Sequence, residues 1–209
     1  MKIAVIQATT RKNMNSLLVD MVKKSTKGEY EIVNFGIFPN EDCQYSYVEV
    51  AIMISLLIET QAVDFVVTGC SSGQGMMLAC NSLPALTCGY VATPQDAFLF
   101  GRINGGNVAS LPLGLNFGWQ GDLNLQYTLD KLFDGEFGVG YPAQDAERKC
   151  LETQLLQSLS QLTKSTWLDL LDEFPQDLLL KILQRKNVMD YLLKYGQNKK
   201  LVEKLQTKM

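Results

Sequence analysis

The sequence predicts an α/β fold of three layers, α/β/α, built on a five-stranded parallel, Rossmann-like sheet and followed by a C-terminal helical extension. Short apolar runs rich in β-branched residues alternate with segments of helical periodicity over about the first 140 residues, which is the pattern of repeated βαβ units. From Ala143 onward, glycine nearly disappears and leucine recurs at helical spacing. We therefore expect an α/β domain over residues 1–142 and a helical extension over residues 143–209.

The five strands are predicted at the apolar runs. Their composition is typical of strands that are buried on both faces of a parallel sheet. The expected ranges are 2–7, 30–35, 63–67, 86–91 and 107–111.

The helices between these strands follow from apolar residues spaced three and four positions apart. Such spacing predicts helices over 13–24 and 47–60, a helix from Met76, and a helix from Thr93 with Pro94 in its first turn. A last helix over 119–133 is expected to place its larger apolar side chains on one face, namely Trp119, Leu123, Tyr127, Leu132 and Phe133.

The extension carries two apolar groups that need a partner surface. The first is a stripe at helical spacing, the second a cluster around a tryptophan. We expect both to pack against the α/β domain or across a subunit contact. The stripe is Leu151, Leu155, Leu159 and Leu162, and the cluster is Trp167, Leu168, Leu170, Leu171 and Phe174.

Composition excludes several classes of protein. The net charge of −3 offers no basic face for nucleic acid, and the apolar runs are too short for a membrane span. The chain has no histidine, so mechanisms that use Cys-His, Ser-His-Asp or His-metal groups are excluded. The five cysteines form no CxxC pair, so we expect no metal site. An odd number of unpatterned thiols is typical of proteins in a reducing cytoplasm.

The candidate functional segment is the turn GCSSGQG at residues 69–75, between the third predicted strand and a helix. Its glycines let the backbone approach a ligand closely. The first amides of the helix are unpaired and lie at its positive end, so they favour an anion. A thiol beside such amides gains thiolate character, which suits Cys70 to act as a base or nucleophile.

Other interpretations of this turn fit the spacing less well. No Gly-Lys-Ser/Thr follows, as a Walker phosphate loop requires, and the G-x-G-x-x-G dinucleotide spacing is absent. Met76 stands where a phosphatase loop would place its arginine. A purely structural turn with a small buried cysteine remains open.

The stretch GCSSGQGMMLACNSLP at residues 69–84 resembles the signature of the ribose-5-phosphate isomerase B and galactose-6-phosphate isomerase family. A second patch, NGGNV at residues 104–108, is similar to the Asn-Asp-x-Asn-Val of that family. Family members usually end sooner, so the chain resembles a divergent, C-terminally extended branch. The matching residues of the first stretch are Cys70, Gly73, Gly75, Met76, Ala79, Asn81 and Pro84, with Ser72 in place of threonine.

The resemblance implies an aldose–ketose isomerase that acts on a sugar or sugar phosphate through a cis-enediolate and needs no cofactor. Cys70 would be the base, and Ser72 would bind or relay a proton. The family also implies a homodimer or homotetramer with active sites near the subunit boundary. The implied substrate-binding residues are Ser71, Gly73, Gln74, Gly75, Asn81, Asn104 and Asn107, with Arg11 and Lys12 as candidates for positive charge.

Three departures from the family pattern keep alternatives open. Ala8 and Thr9 replace an Asp-His pair, and Ile103 replaces the histidine linked to ring opening. Glu136 and Phe137 stand where phosphate-binding arginines are common. The substrate is then acyclic or unphosphorylated, or another group replaces the histidine. Alternatively, the chain is a silent relative that binds a sugar phosphate or serves as a subunit of a hetero-oligomer. A flavodoxin-like protein that binds a nucleotide is a less favoured interpretation, since the sequence contains no motif for binding ribose or flavin.

Overall fold

The computed structural model describes residues 1–115 and 117–209, and its centre is a sheet of parallel strands. The strands are β1 (Lys2–Ile6), β2 (Glu31–Gly36), β3 (Phe65–Cys70), β4 (Cys88–Tyr90) and β5 (Val108–Pro112). They pair in the order β2-β1-β3-β5-β4, all in parallel. This confirms the predicted five-stranded parallel sheet.

Helices cover both faces of the sheet. One face carries α1 (Asn15–Ser25), α4 (Pro94–Leu99) and α5 (Gly121–Leu132), whose apolar side chains share one core with the sheet. The other face carries α2 (Tyr47–Glu59) and α3 (Gln74–Asn81). The predicted three-layer α/β/α arrangement is therefore confirmed.

The strand order creates a crevice at the carboxyl ends of β1 and β3. These two strands are neighbours, and the chain leaves them toward opposite faces, to α1 from β1 and to α3 from β3. In open α/β sheets, ligands bind where connections diverge in this way. The crevice is therefore the first place to look for a site, and Cys70 is the last residue of β3.

The predicted apolar face of the helix near residue 119 is confirmed at Leu132 and Phe133 but was wrong at its other three residues. The helix begins at Gly121, and Trp119 lies before it with 95% of its surface exposed. Leu123 and Tyr127 are also exposed. The buried face joins Leu132 with Leu125 and Leu129, which pack in the core of the α1 side. Both sets have helical spacing, so periodicity alone does not decide between them.

The end of the extension packs directly on α2. It comprises α7 (Trp167–Leu170), α8 (Gln176–Leu183), α9 (Lys186–Tyr195) and α10 (Lys199–Gln206). The indole of Trp167 is 0% exposed, and its Nε1 donates to the Oγ of Ser55 at 2.7 Å. The backbone N–H of Trp167 donates to Glu59 Oε1 at 2.8 Å. The predicted burial of the Trp167 cluster against the α/β domain is thus confirmed.

The first helix of the extension behaves differently. Among its described residues, α6 (Ala146–Thr163) buries none, and every leucine of the predicted stripe is exposed. Thr153 Oγ1 donates to the carbonyl of Ile103 at 2.6 Å, and Lys164 Nζ, just after the helix, donates to that of Leu86 at 2.6 Å. Nothing in residues 1–115 and 117–209 covers the stripe, so its burial across a subunit contact stays a prediction.

Candidate active site

Cys70 lies at the carboxyl end of β3, in the crevice between strand and helix. All six residues of β3 are buried because the strand sits in the middle of the sheet, paired with β1 and β5. Cys70 pairs with Pro112 at the end of the ladder and is 8% exposed. The thiol is therefore held rigidly by the sheet while its Sγ faces the turn that follows.

The turn wraps around the sulfur through Gly73. The backbone N–H of Gly73 donates to Cys70 Sγ at 3.2 Å, and Ser110 Oγ donates to the carbonyl of Gly73 at 2.7 Å. Gly73 is the N-cap of α3 with φ of +76°, a conformation that favours glycine. A Cβ there would lie 2.8 Å from the Tyr90 ring and 2.9 Å from Leu111. Both the backbone angle and the space therefore require glycine.

The start of α3 supplies positive potential to this turn. None of the described side chains caps the helix, and its first turn contains no acidic residue. The N–H groups that open a helix lack intrahelical partners and carry the positive end of its dipole. An oxyanion that forms beside Cys70 would therefore meet backbone donors that are already oriented.

Tyr47 forms a wall of the site that sequence reasoning missed. A Cβ on Gly75 would lie 3.3 Å from the Tyr47 ring, so the ring covers the start of α3. Tyr47 opens α2, and Ser46 caps that helix in a reciprocal capping box with Glu49. The capping signal is readable in the sequence, but the contact between α2 and the Cys70 turn is not.

Arg11 is anchored beside the Cys70 turn. Its Nε donates to Ser71 Oγ at 3.1 Å, while the N–H groups of Gly114 and Leu115 donate to the Ser71 carbonyl at 2.9 and 2.8 Å. A Cβ on Gly114 would lie 2.2 Å from Arg11 Nη2, so the guanidinium rests on the bare backbone of this glycine. Within residues 1–115 and 117–209, no carboxylate forms an ion pair with Arg11. Its charge is therefore available to an anionic group.

The other predicted residues of the turn lie at the same place. Ser72 and Gly75 are half-buried and Gln74 is exposed, so all three border the crevice. Lys12 is half-buried, and its Nζ donates to the carbonyl of Glu41 at 3.3 Å. The structure thus gathers Arg11 and the 70–75 turn at one site and places Lys12 beside it.

Two of the predicted asparagines, Asn81 and Asn107, form hydrogen bonds with the backbone. Asn81 and the backbone of Cys88 bond reciprocally, with both distances at 2.9 Å. Asn107 accepts from the N–H of Thr87 at 2.9 Å and donates to the carbonyl of Ala85 at 2.7 Å. These amides hold the chain that leads into β4. Asn104 is exposed.

Asn104 and Asn107 lie at the opposite edge of the sheet from Cys70. Asn107 precedes β5, whereas Cys70 is level with Pro112 at the other end of that strand. Five residues of strand separate the two levels by roughly 16 Å. Asn107 lines a polar cleft of about 540 Å³ beneath α6, and Asn104 lines a neighbouring cleft of about 550 Å³. One chain does not bring these residues to Cys70, so their roles in binding stay predictions.

The region where family members commonly carry phosphate-binding arginines packs against the hydrophobic core in this chain. The Phe137 ring lies 5.1 Å from that of Phe65 and 6.1 Å from that of Phe133. Arg102 stacks on Phe137, and its Nη1 donates to the carbonyl of Asp134 at 2.6 Å. This arginine is therefore committed to holding backbone rather than to binding a ligand.

The described parts of the chain contain neither a candidate metal cluster nor a helix that could span a membrane. No group of three or more Cys, Asp or Glu side chains there is arranged to hold a metal ion. No described helix combines the length and the apolar character needed to cross a bilayer.

Comparison with known families decides the identity. Residues 3–118 match the model of the Ribose/Galactose Isomerase family. The chain belongs to this family. It is therefore a sugar isomerase of the aldose–ketose class, as the motif around Cys70 predicted. No curated protein matches the sequence.

Two solved structures are similar to this isomerase over its whole length. One is a 4-deoxy-L-threo-5-hexosulose-uronate ketol-isomerase complexed with a tartrate, with 35% identity and a TM-score of 0.94 over 100% of this chain and 99% of that one. The other is the ribose-5-phosphate isomerase LacAB_rpiB from Vibrio parahaemolyticus, with 31% identity and a TM-score of 0.93 over the same shares.

A third structure shares the fold over part of the chain only. The type B ribose 5-phosphate isomerase from Trypanosoma cruzi is 17% identical, with a TM-score of 0.64 over 77% of this chain and 99% of that one. The two structures similar over the full length therefore share the extension, whereas the shorter one covers about three quarters of this isomerase. This agrees with the C-terminally extended branch that the sequence predicted.

Proposed function

We propose that this isomerase interconverts the aldose and ketose forms of an acidic, unphosphorylated sugar of the uronate class, with Cys70 as the base. The observation that carries the catalytic part is the hydrogen bond from the Gly73 N–H to Cys70 Sγ at the start of α3. This bond supports the proposal because it holds the Cys70 sulfur beside backbone amides that favour an anion, so that both could act on the same substrate carbons.

The chemistry proceeds in two proton transfers at carbon and one between the oxygens. The Cys70 thiolate removes the proton from the carbon next to the carbonyl, and the electrons move onto oxygen to give the cis-enediolate. The amides at the start of α3 stabilise this oxyanion. Ser72 relays the hydroxyl proton between the two oxygens, and the Cys70 thiol returns its proton to the neighbouring carbon. The product is the isomeric ketose, and the thiolate is restored.

The choice of a uronate rests on charge and on similarity. A carboxylate carries one negative charge and two acceptor oxygens, which a single guanidinium satisfies. Arg11 is such a group beside Ser71, whereas the region of Glu136 and Phe137 offers no arginine cluster for phosphate. The ketol-isomerase that is 35% identical is named for a uronate. A sugar phosphate is the second candidate, favoured by the name of the Vibrio parahaemolyticus structure.

The assembly we propose is a homodimer or homotetramer in which α6 supplies a subunit contact. Its leucine stripe, from Leu151 to Leu162, is exposed and has no cover in the described chain. A second copy would bury the stripe and bring Asn104 and Asn107 of one subunit toward Cys70 of the other. We also place the enzyme in the cytoplasm, because all five cysteines are free thiols.

The test is a substrate panel followed by NMR in D₂O. The panel contains 4-deoxy-L-threo-5-hexosulose-uronate, free pentoses and hexoses, ribose 5-phosphate and galactose 6-phosphate. We expect turnover of the uronate, with solvent deuterium at the carbon that receives the proton. Turnover of a phosphate and not of the uronate would establish the second candidate. If no compound reacts but one binds, the silent relative or hetero-oligomer subunit replaces the enzyme.

A further inference from the structure

Arg185, in the extension, connects two distant parts of the chain. It follows α8, and 8% of its side chain is exposed. Its Nη2 donates to the carbonyl of Phe35 at 2.7 Å and to Glu41 Oε1 at 2.9 Å, while Nη1 donates to Glu41 Oε2. A fork of this kind fixes both the distance and the orientation of a carboxylate. Arg185 therefore holds the end of β2 and the segment that follows it.

That segment is a loop, residues 37–46, which joins β2 to α2. Besides the bonds to Arg185, Glu41 accepts from the N–H of Phe38 at 3.0 Å. Two cations lie over the Tyr45 ring, with Arg185 at 5.1 Å and Lys181 at 5.3 Å from its centroid. Burial raises the pKa of Tyr45 to about 12, so the ring is neutral and presents its π face to both cations. Loop 37–46 is thus clamped by the extension at both Glu41 and Tyr45.

The inner side of the loop holds the turn after β1. The Tyr45 N–H donates to Thr9 Oγ1 at 2.7 Å, and the Thr9 N–H donates to the Tyr45 carbonyl at 3.1 Å. Lys12 Nζ donates to the Glu41 carbonyl at 3.3 Å. Arg11 lies between these two contacts in sequence. The clamp therefore sets the position of the segment that carries the cation of the site.

Two further contacts reach the Cys70 turn itself. The Ala8 N–H donates to the carbonyl of Gly69 at 3.1 Å, directly before Cys70. The loop then runs through Ser46 into Tyr47, whose ring covers Gly75. An unbroken series of contacts thus runs from Arg185 through the loop to both ends of the 69–75 turn.

We propose that Arg185 is a positioning residue for the isomerase reaction, which it serves by fixing loop 37–46 and through it Thr9, Arg11 and Tyr47 around Cys70. Arg185 touches neither the substrate nor Cys70. The consequence is that the extension takes part in the geometry of the site, although its helices lie on the outer side of α2. The kinetic consequence rests on the proposed function, but the structural one does not.

The first experiment compares Arg185→Met with Lys204→Met. Lys204 is a matched control, because its Nζ bonds to Asp172 at 2.6 Å and to the Leu168 carbonyl at 2.7 Å within the extension. We expect both changes to lower Tm. Only Arg185→Met should also lower kcat/KM on the uronate, by about tenfold to a hundredfold. Without the clamp, loop 37–46 shifts and the groups around Cys70 are no longer aligned with the substrate. Arg185→Lys keeps the charge but loses the fork, and should fall between wild type and Arg185→Met.

Hydrogen exchange tests the same point without a substrate. In Arg185→Met, the amides of Thr9, Tyr45 and the 73–75 segment should exchange at least several-fold faster than in wild type, whereas Lys204→Met should leave them unchanged. If Arg185→Met lowers only Tm, with kinetics and these amides as in Lys204→Met, Arg185 is merely structural and the proposal fails. If the wild type turns over no sugar, the exchange result alone decides. Should Arg185→Met not fold, Arg185→Lys is measured in the same two ways.

Discussion

The backbone N–H of Gly73 donates to the sulfur of Cys70 at 3.2 Å, so the thiol faces the opening of α3. A second buried cysteine provides the contrast. Cys88 is also 8% exposed, but it lies at the start of β4, where a hydrogen bond with Cys80 and burial raise the pKa of its thiol. Cys70 and Cys88 are thus equally exposed, but Cys70 faces the start of a helix whereas Cys88 faces another thiol.

Replacing Cys70 with serine should remove turnover. Serine keeps the size and hydrogen bonding of the side chain but is a far weaker base, so the rate should fall by about a hundredfold or more. Steady-state kinetics measures this, with Cys88→Ser as the matched control that retains activity. Wild-type iodoacetamide labelling at pH 7 should also modify Cys70 before Cys88. Equal activity of wild type and Cys70→Ser would reject the role as base.

Replacing Arg11 with methionine should weaken binding of an acidic substrate. Losing a charge-assisted contact should raise KM about tenfold while kcat changes little. Gly114→Ala should give a similar change, because a Cβ would displace the guanidinium from its place. Gly118→Ala is the control, since a Cβ at Gly118 meets no atom within 4 Å. A KM unaffected by either change would show that Arg11 does not bind the substrate.

Charges on the α6 stripe should separate the subunits. Leu155→Glu with Leu159→Glu places two carboxylates where an apolar surface is expected to be covered. Sedimentation analysis should show a shift to monomer, with little loss of Tm in the monomer because both side chains are exposed in the chain. Gln154→Glu, on the same helix beside the stripe, should not change the assembly. An unchanged assembly in the double variant would locate the subunit contact elsewhere.

The two tryptophans should differ sharply in their effect on stability. Trp167→Phe removes the donor to Ser55 Oγ and some volume from a fully buried site, which should cost about 1–3 kcal/mol of unfolding free energy. Trp119→Phe changes a residue that is 95% exposed and should stay within about 0.5 kcal/mol. Denaturant unfolding measures both. Similar losses would mean that the extension does not depend on the Trp167 contact.

The ion pair of Glu41 should make a pH-dependent contribution to stability. Burial opposes ionisation of Glu41, but the hydrogen bonds from Arg185 and the Phe38 N–H outweigh it, so the pKa lies below the usual value of 4.5. A depressed carboxyl pKa stabilises the fold above that value, and the gain is lost as the pH falls through the folded pKa. Glu41→Gln should therefore lower Tm at pH 7, with a difference from wild type that shrinks below pH 4.5. A difference that is constant down to pH 3 would contradict this.

The sheet and the Cys70 turn were predictable from local sequence. A strand such as β3 is buried on both faces, so it reads as a continuous apolar run, and the glycines after it mark a turn whose conformation is local. These two signals were enough to place Cys70 at the carboxyl end of a central strand. The motif similarity then supplied the reaction class.

The remainder of the site depends on contacts between distant segments. The cover of Gly75 by Tyr47 and of Gly114 by Arg11 joins residues that lie far apart in sequence. Helical spacing gives two candidate faces on α5, and only packing against α1, α4 and the sheet selects Leu125 and Leu129 over Leu123. The asparagines read as ligands by motif, yet register places Asn107 at the amino end of β5. No local pattern carries this information.

The cover that α7–α10 provide for α2 has a consequence for how such chains can evolve. Because the far side of α2 is sealed by the extension, this helix is free to be apolar around nearly its whole circumference, with residues from Val50 to Leu57 all buried. A chain that gained its tail first could accumulate such residues without loss. Once these residues are present, the extension can no longer be lost, because its loss would expose the apolar side chains of α2 to water. The helix equivalent to α2 should therefore be more apolar in family members that carry the extension than in those that lack it.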